Sequence, residues 1–371
     1  MKKLICILPL IVPFNALSIY GLRPLDVFFA LCVATILFSK NIYKNKHTVI
    51  VCSSVLFFIL LSIFSSLFVP RYVFDLSQFK FVELLIFVFI LSLIKFNNED
   101  YLLIKKNIIL GAFVISFGTL VQLAINPLMH RYAGFFIYSN GIDMSDVVSG
   151  FNELGAFLAL SVVIAVQDLL KKFDVRLFCF SLLAVFAILM TKSRSSLIAL
   201  GVALLLIFIL SRTSLSKKIS FFTLFFISIV YLQYSGIISF SRLTSSFDSG
   251  TFDNYTMMQR FVFWSKGYSS LFDNVNSFLF GYGVGGIMDA IGGTTTDNFY
   301  LDLLLRYGLL GFLSVLILYI TPVLLNYNVK ELLPIYMVIS IVSISGNVLS
   351  DVAFGGAVFL MIYGFKNEKF D

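Results

Sequence analysis

Hydrophobic residues follow one another along this chain in long runs, and short polar stretches separate the runs. A helical run of about 20 apolar residues can cross the ~30 Å hydrocarbon layer of a membrane. About twelve runs reach or approach that length, so we predict about twelve transmembrane helices. The predicted helices cover residues 4–20, 25–39, 48–69, 79–95, 102–125, 152–169, 176–190, 195–211, 219–236, 298–325, 332–346 and 352–365.

Composition supports this interpretation. Hydrophobic residues make up 59% of the 371 residues and charged residues only 13%, which excludes a soluble globular protein with an ordinary polar surface. We therefore predict an all-α polytopic membrane protein in which residues 1–371 form a single integral membrane domain. The net charge of +7 fits contact with anionic lipid, and we expect no nucleic-acid partner.

The polar stretches that follow even-numbered predicted helices are rich in lysine. Residues 40–47, 95–106, 168–176 and 211–218 each carry two or more basic side chains. Because such loops remain in the cytoplasm, both chain termini are predicted to be cytoplasmic. Two longer segments then lie outside: residues 126–151 form a first outer loop, and residues 237–297 form a large outer loop between the ninth and tenth helices.

Arginine has the opposite distribution. In this topology 15 of the 18 Lys, but only 2 of the 9 Arg, lie on the inner side. A planar guanidinium can hold two phosphate oxygens at once, whereas an ammonium cannot, so the pattern predicts an outward-facing site for a phosphorylated lipid. Single arginines also cap helices or pair with carboxylates. The seven outer residues are Arg23, Arg71, Arg131, Arg194, Arg242, Arg260 and Arg306.

The large outer loop contains aromatic and apolar residues at helical spacing. This spacing predicts an amphipathic helix at the membrane surface, with Arg260 at the depth of the lipid headgroups. Arg260 and Trp264, four residues apart, would share its lipid-side edge. In the alternative interpretation Trp264 is an ordinary interfacial anchor and Arg260 extends to water. The spaced residues are Met257, Phe261, Trp264, Tyr268 and Phe272.

Three predicted helices begin on the outer side with polar residues. These starts are Asn152-Glu153, residues 191–196 and residues 294–298. Most of their side chains are good N-caps. Arg194 differs, because a cation at a helix N-terminus is unfavourable unless an anion joins it.

Two other patterns have structural interpretations. Asp302 and Arg306, four residues apart at the top of the tenth helix, are expected to pair. Gly281, Gly283 and Gly286 spell GxGxxG, but they lie in an outer loop with no βαβ unit, so we predict a tight turn and not a dinucleotide site.

The order of several short motifs resembles the O-antigen ligase and polymerase superfamily over residues 130–315. The first motifs are Arg131-x-x-Gly134-x-Phe136, the helix start at Asn152, and Ser193-Arg194 opening a later helix. Arg260 four residues before Trp264, a Gly-Tyr-Gly turn at 281–283, residues 297–301 (DNFYL) and residues 307–311 (YGLLG) follow. The resemblance implies a GT-C-like fold and a metal-independent, cofactor-free glycosyltransferase that acts on lipid-linked sugars.

The resemblance also implies roles for individual residues. Arg194 and Arg260 match the two functional arginines of the superfamily, and Arg131 is a third candidate for binding the carrier's diphosphate. The ligase branch typically has His-Asn where this chain has Asp297-Asn298, which favours a polymerase. Deprotonation of the acceptor could fall to Asp297, Glu153 or His130, and spacing does not choose among them. As an N-cap, Asp297 would need no catalytic role.

We therefore expect a polymerase that joins undecaprenyl-diphosphate-linked oligosaccharide repeats at the periplasmic face of a bacterial inner membrane. A chain-length regulator in the same membrane is a candidate partner. One alternative is an O-antigen ligase that transfers glycan to lipid A core. Another alternative, of a different class, is a lipid-linked sugar transporter or flippase. Transporters often have ionisable residues near mid-membrane and repeated halves. In this chain the two deepest obvious charges, Lys80 and Glu83, lie in the outer part of one predicted helix, and no internal repeat is visible.

Overall fold

The computed structural model describes residues 2–14, 24–37, 46–68, 78–125, 151–234, 252–292, 296–325, 329–350 and 352–365. These residues form α-helices and two 3-10 turns, and they contain no β-strand. The predicted all-α class is therefore confirmed for the described part. Its helices are α1 (Lys2–Ile5), α2 (Leu8–Ile11), α3 (Pro24–Leu37), α4 (Lys46–Phe68), α5 (Gln78–Ser92), α6 (Asn98–Ile125), α7 (Phe151–Lys171), α8 (Val175–Thr191), α9 (Arg194–Leu210), α10 (Leu215–Tyr234), α11 (Phe252–Leu271), α12 (Val275–Phe280), α13 (Gly283–Ile291), α14 (Phe299–Leu325), α15 (Val329–Ile344) and α16 (Val352–Gly364).

Three of the described helices are long and apolar enough to cross a membrane: α6, α7 and α14. Shorter apolar stretches of 10–17 residues lie within α3, α4, α5, α8, α9 and α16. Together these helices make the chain a membrane protein. Most predicted runs coincide with one helix within a few residues.

The first predicted run does not form one continuous helix over its described residues. Residues 2–14 instead divide into α1, α2 and a 3-10 turn at Val12–Phe14. Proline has no N–H to donate and crowds the preceding helical turn, and both Pro9 and Pro13 fall in this segment.

Helix α7 lies at the centre of the bundle. Every residue from 154 to 166 is buried, and α6, α8, α9 and α15 pack around it. Near its C-terminal end, ion pairs tie it to two neighbours. Lys105 of α6 pairs with Asp168, and Lys171 pairs with Glu331 of α15 at 2.8 Å.

Helix α14 is broken at Gly308, whose φ of 65° and ψ of −174° are not helical. The break lies against the turn between α12 and α13, where Gly281 and Gly283 have φ of 76° and 73°. A Cβ on Gly281 would lie 2.5 Å from the Arg306 carbonyl oxygen, and one on Gly308 would clash with the Leu279 main chain. The predicted glycine turn is confirmed, and the structure adds the main-chain contact with α14.

The interruption of α14 also leaves carbonyl groups without helical donors, and other elements supply replacements. The Tyr282 N–H donates to the Leu305 carbonyl at 2.7 Å.

Further along α14, Pro322 has no N–H for the Leu318 carbonyl four residues earlier. The hydroxyl of Tyr363 on α16 donates to that carbonyl at 3.0 Å.

Candidate functional site

The N-terminal ends of α7 and α9 meet at one end of the bundle. Ser193, the N-cap of α9, donates from Oγ to Oδ1 of Asn152 at 3.0 Å and lies 2.8 Å from Oγ of Ser196. Gly155 permits this approach, since a Cβ there would lie 2.6 Å from the Ser196 hydroxyl. The two helix starts are therefore held side by side.

Arg194 and Glu153 stand at these two helix starts. Arg194 is the first residue of α9, as predicted, and Glu153 is in the first turn of α7. Both are half-buried. Free N–H groups and the partial positive charge of a helix N-terminus favour an anion, and the Arg194 cation adds to that preference.

Asp302, in the first turn of α14, is a buried carboxylate that accepts hydrogen bonds from three residues. Its Oδ1 accepts from the main-chain N–H of Thr296 at 2.9 Å and from the Thr296 hydroxyl at 3.1 Å. Its Oδ2 accepts from Nε of Arg306 at 2.9 Å and from Nδ2 of Asn347 at 2.8 Å. The predicted Asp302–Arg306 pair is confirmed, whereas the Asn347 contact was not predicted.

The turn before α14 separates the roles of Asp297 and Asn298. Asn298 is the cap, because its Oδ1 accepts from the N–H groups of Tyr300 and Leu301, both at 3.1 Å. The main chain of Asp297 is in the left-handed region, with φ of 52°. Asn298, the residue directly before α14, therefore caps this helix, and Oδ2 of Asp297 contacts a neighbouring helix.

Helix α11 contacts this turn through two side chains one helical turn apart. Nε of Arg260 donates to Oδ2 of Asp297 at 3.1 Å, and Nε1 of Trp264 donates to the Thr296 carbonyl at 2.7 Å. The Arg260 and Asp297 side chains are 34% and 45% exposed, so solvent and a ligand can reach the pair.

Part of the predicted outer loop thus forms the predicted helix, α11. Arg260 and Trp264 contact the turn before α14, and their place at a lipid-side edge stays a prediction. Of the other predicted positions, Phe261 and Tyr268 are exposed on the helix and Phe272 is exposed just after its end, whereas the Met257 side chain lies outside the described part. The loop prediction identified the helix but not the partner of its Arg and Trp side chains.

The segment between α15 and α16 links the two ends of the site. A Cβ on Gly346 would lie 3.5 Å from Nδ2 of Asn152, and the next residue, Asn347, donates to Asp302. The bonded pair Asn152–Ser193 and the turn before α14 therefore both lie against residues 346–347. We call this set the polar band; its residues are Asn152, Ser193, Thr296, Asp297, Asp302, Asn347 and Arg260.

A narrow apolar crevice lies next to the polar band. It encloses about 20 Å³ between α5, α14 and α16, and Phe81, Phe299 and Tyr300 are among its lining residues. Phe299 and Tyr300 directly follow the Asn298 cap. Charged and apolar side chains therefore adjoin at the start of α14.

The remaining predicted site residues lie outside the described part of the chain. These are His130 and Arg131, together with Arg23, Arg71 and Arg242 of the wider arginine set. The structure brings together Arg260 and Asp297 and places Arg194 and Glu153 at adjoining helix starts.

Residues 179–316 match the family model described as O-Antigen ligase. The matched segment runs from α8 into α14 and contains Arg194, Arg260 and Asp297. A search of curated proteins found no match to this chain.

Proposed function

From the match of residues 179–316 to the family model described as O-Antigen ligase, we propose that the chain belongs to the O-antigen ligase and polymerase superfamily and is an O-antigen polymerase. It joins undecaprenyl-diphosphate-linked oligosaccharide repeats at the periplasmic face of the bacterial inner membrane. In this proposal the chain has about twelve GT-C-like transmembrane helices and cytoplasmic termini.

The observation that carries the proposal is the polar band beside the apolar residues that open α14, with Arg194 next to one end and Arg260 at the other. A lipid diphosphate has the matching chemistry, because its headgroup is anionic and its polyprenyl tail is apolar. Arg194 and Arg260 bind the diphosphate, and Arg131 is a third candidate. Guanidinium groups suit this role since each can hold two phosphate oxygens.

The reaction transfers a glycan from one carrier to another. A hydroxyl on the terminal sugar of one lipid-linked repeat attacks the anomeric carbon of the chain on a second carrier. The new glycosidic bond forms as the bond to undecaprenyl diphosphate breaks, and the hydroxyl proton passes to a base. Negative charge grows on the leaving diphosphate, so arginines already in place lower the barrier without a metal ion.

The general base is one of Asp297, Glu153 and His130. Asp297→Asn keeps a residue that tolerates the left-handed conformation and removes the proton-accepting group. Loss of polymer with normal protein levels would assign the base to Asp297. Polymer of wild-type length would instead direct the search to Glu153 and His130.

A ligase is the second candidate, since the matching family model is described as O-Antigen ligase and the match suits either activity. Asp297-Asn298 favours the polymerase, because the resemblance implies His-Asn in the ligase branch. The surface sugar of cells lacking the gene tests the choice. A single repeat on lipid A core indicates a polymerase, whereas free lipid A core indicates a ligase.

Transport is the alternative of a different class. A cavity of about 500 Å³ between α3 and α5 is lined by Asp26 and Glu83, and ionisable residues within membrane helices often mark transport pathways. Purified protein in detergent has no sealed compartment. Elongation of a lipid-linked oligosaccharide under those conditions would exclude pure transport.

A further inference from the structure

Arg260 is already held by an anion that belongs to the protein. Within the described residues its guanidinium contacts Oδ2 of Asp297 through Nε, at 3.1 Å. Nε makes this contact, and the two terminal nitrogens are the remaining donors of the fork toward an incoming anion. The pair is partly exposed, so Asp297 and a ligand act on the same reachable cation.

The main chain fixes the position of Asp297. Trp264 holds the carbonyl of the preceding residue, and Asp302 holds the N–H and hydroxyl of that same residue, Thr296. A non-glycine residue in the left-handed region persists only where surrounding contacts determine it. The carboxylate therefore meets Arg260 because the turn places it there.

We propose that Asp297 is an internal counter-anion that competes with the lipid diphosphate for Arg260. This inference rests on the diphosphate site of the proposed function. Asp297 occupies the guanidinium when the site is empty, and a diphosphate that enters must share or replace this contact. The carboxylate and the diphosphate are both negative, so the carboxylate weakens diphosphate binding at short range.

Competition of this kind assists product release. Transfer of the glycan turns a diphosphate diester into a free diphosphate, which adds up to one negative charge near neutral pH. Arginines alone would then hold the product more tightly than the substrate. A carboxylate fixed beside Arg260 opposes that difference.

The chain offers a direct binding measurement. Trp264 is its one tryptophan, and it lies one helical turn from Arg260. Changes in tryptophan emission of the purified full chain therefore report on this site. Farnesyl diphosphate is a suitable probe, because it combines a free diphosphate with a short isoprenoid tail.

Asp297→Asn is the decisive variant. It removes the charge with little change in shape, and asparagine tolerates the left-handed conformation. We expect this variant to bind farnesyl diphosphate about three- to fivefold more tightly than wild type, the upper part of the range typical of a partly exposed charge contact. Asp297→Gly, which also accommodates the positive φ, should bind farnesyl diphosphate more tightly than wild type as well.

Asp273→Asn is the matched control. Asp273 is exposed just after α11. Its substitution removes the same charge as Asp297→Asn, but away from Arg260. Its affinity should stay within about twofold of wild type, because exposed charges beyond a Debye length are screened.

Two outcomes would overturn the inference. If wild type binds the probe and both Asp297 variants bind equally or more weakly, Asp297 does not compete, and the diphosphate site of the proposed function still stands. If wild type does not bind the probe, the diphosphate site fails and the competition fails with it.

Discussion

The hydroxyl group of Tyr363 lies 3.0 Å from the main-chain oxygen of Leu318 and donates a hydrogen bond to it. The carbonyl needs this donor because Pro322 cannot supply the usual helical one. Helices α14 and α16 are thus joined by a bond that substitutes for one lost within α14.

Tyr363→Phe should lower the free energy of unfolding by about 1–2 kcal/mol, because a buried carbonyl loses its partner. In a Pro322→Ala background the restored N–H can satisfy Leu318, so the same change should cost much less. Melting temperatures in detergent of the wild type, the two single variants and the double variant measure the coupling between Tyr363 and Pro322. Equal losses in both backgrounds would show that the hydroxyl does not act through this carbonyl.

Asp302→Asn should destabilise the protein by about 3–5 kcal/mol, since it leaves the Arg306 cation without its buried counter-charge. The NH₂ group of the asparagine would also face donors on either side, either Thr296 or the pair Arg306 and Asn347. Protein level in membranes and the melting temperature check this expectation. Asp273→Asn is the control for a carboxylate at the surface, and equal stability of the two variants would contradict the role of Asp302.

Gly155→Ala should cost about 1–3 kcal/mol, because the added methyl would press on the Ser196 hydroxyl. Gly201→Ala on α9 is the matched control. No atom lies within 4 Å of a Cβ at Gly201, so this change should stabilise its helix by up to about 1 kcal/mol. Melting temperatures that shift equally for both variants would argue against close packing of α7 on α9.

Arg194→Lys and Arg260→Lys should each reduce polymer formation about 100-fold, nearly as much as substitution by alanine. Lysine keeps the charge and loses the paired donors. Arg176→Lys, an exposed position in the first turn of α8, serves as control. Polymer of normal length and amount from both site variants, at normal protein levels, would exclude a bidentate role.

The sequence was sufficient for features that depend on neighbouring residues. Apolar runs located most helices, Arg194 was expected at a helix start, and the spacing of Asp302 and Arg306 predicted their pair. Each of these depends on helical periodicity or on local capping, which act over one or two turns.

Contacts between distant segments were not predictable in this way. Arg260 and Asp297 lie 37 positions apart, and Asp302 and Asn347 lie 45 apart. No local pattern encodes such pairs, because they depend on how α11 and the end of α15 pack against the start of α14. The break at Gly308 was hidden for a related reason, since an apolar run does not reveal which glycine meets another main chain.

The crossing of Gly281 and Gly308 has a consequence for how the chain can evolve. The main chains of the two segments are in contact there. A larger residue at one glycine therefore cannot be accommodated by a smaller side chain on the other segment. Both positions must be inherited as glycine, or the hairpin of α12 and α13 must move away from α14 as a whole. Divergent descendants should therefore retain both glycines even where the charged residues around them have changed.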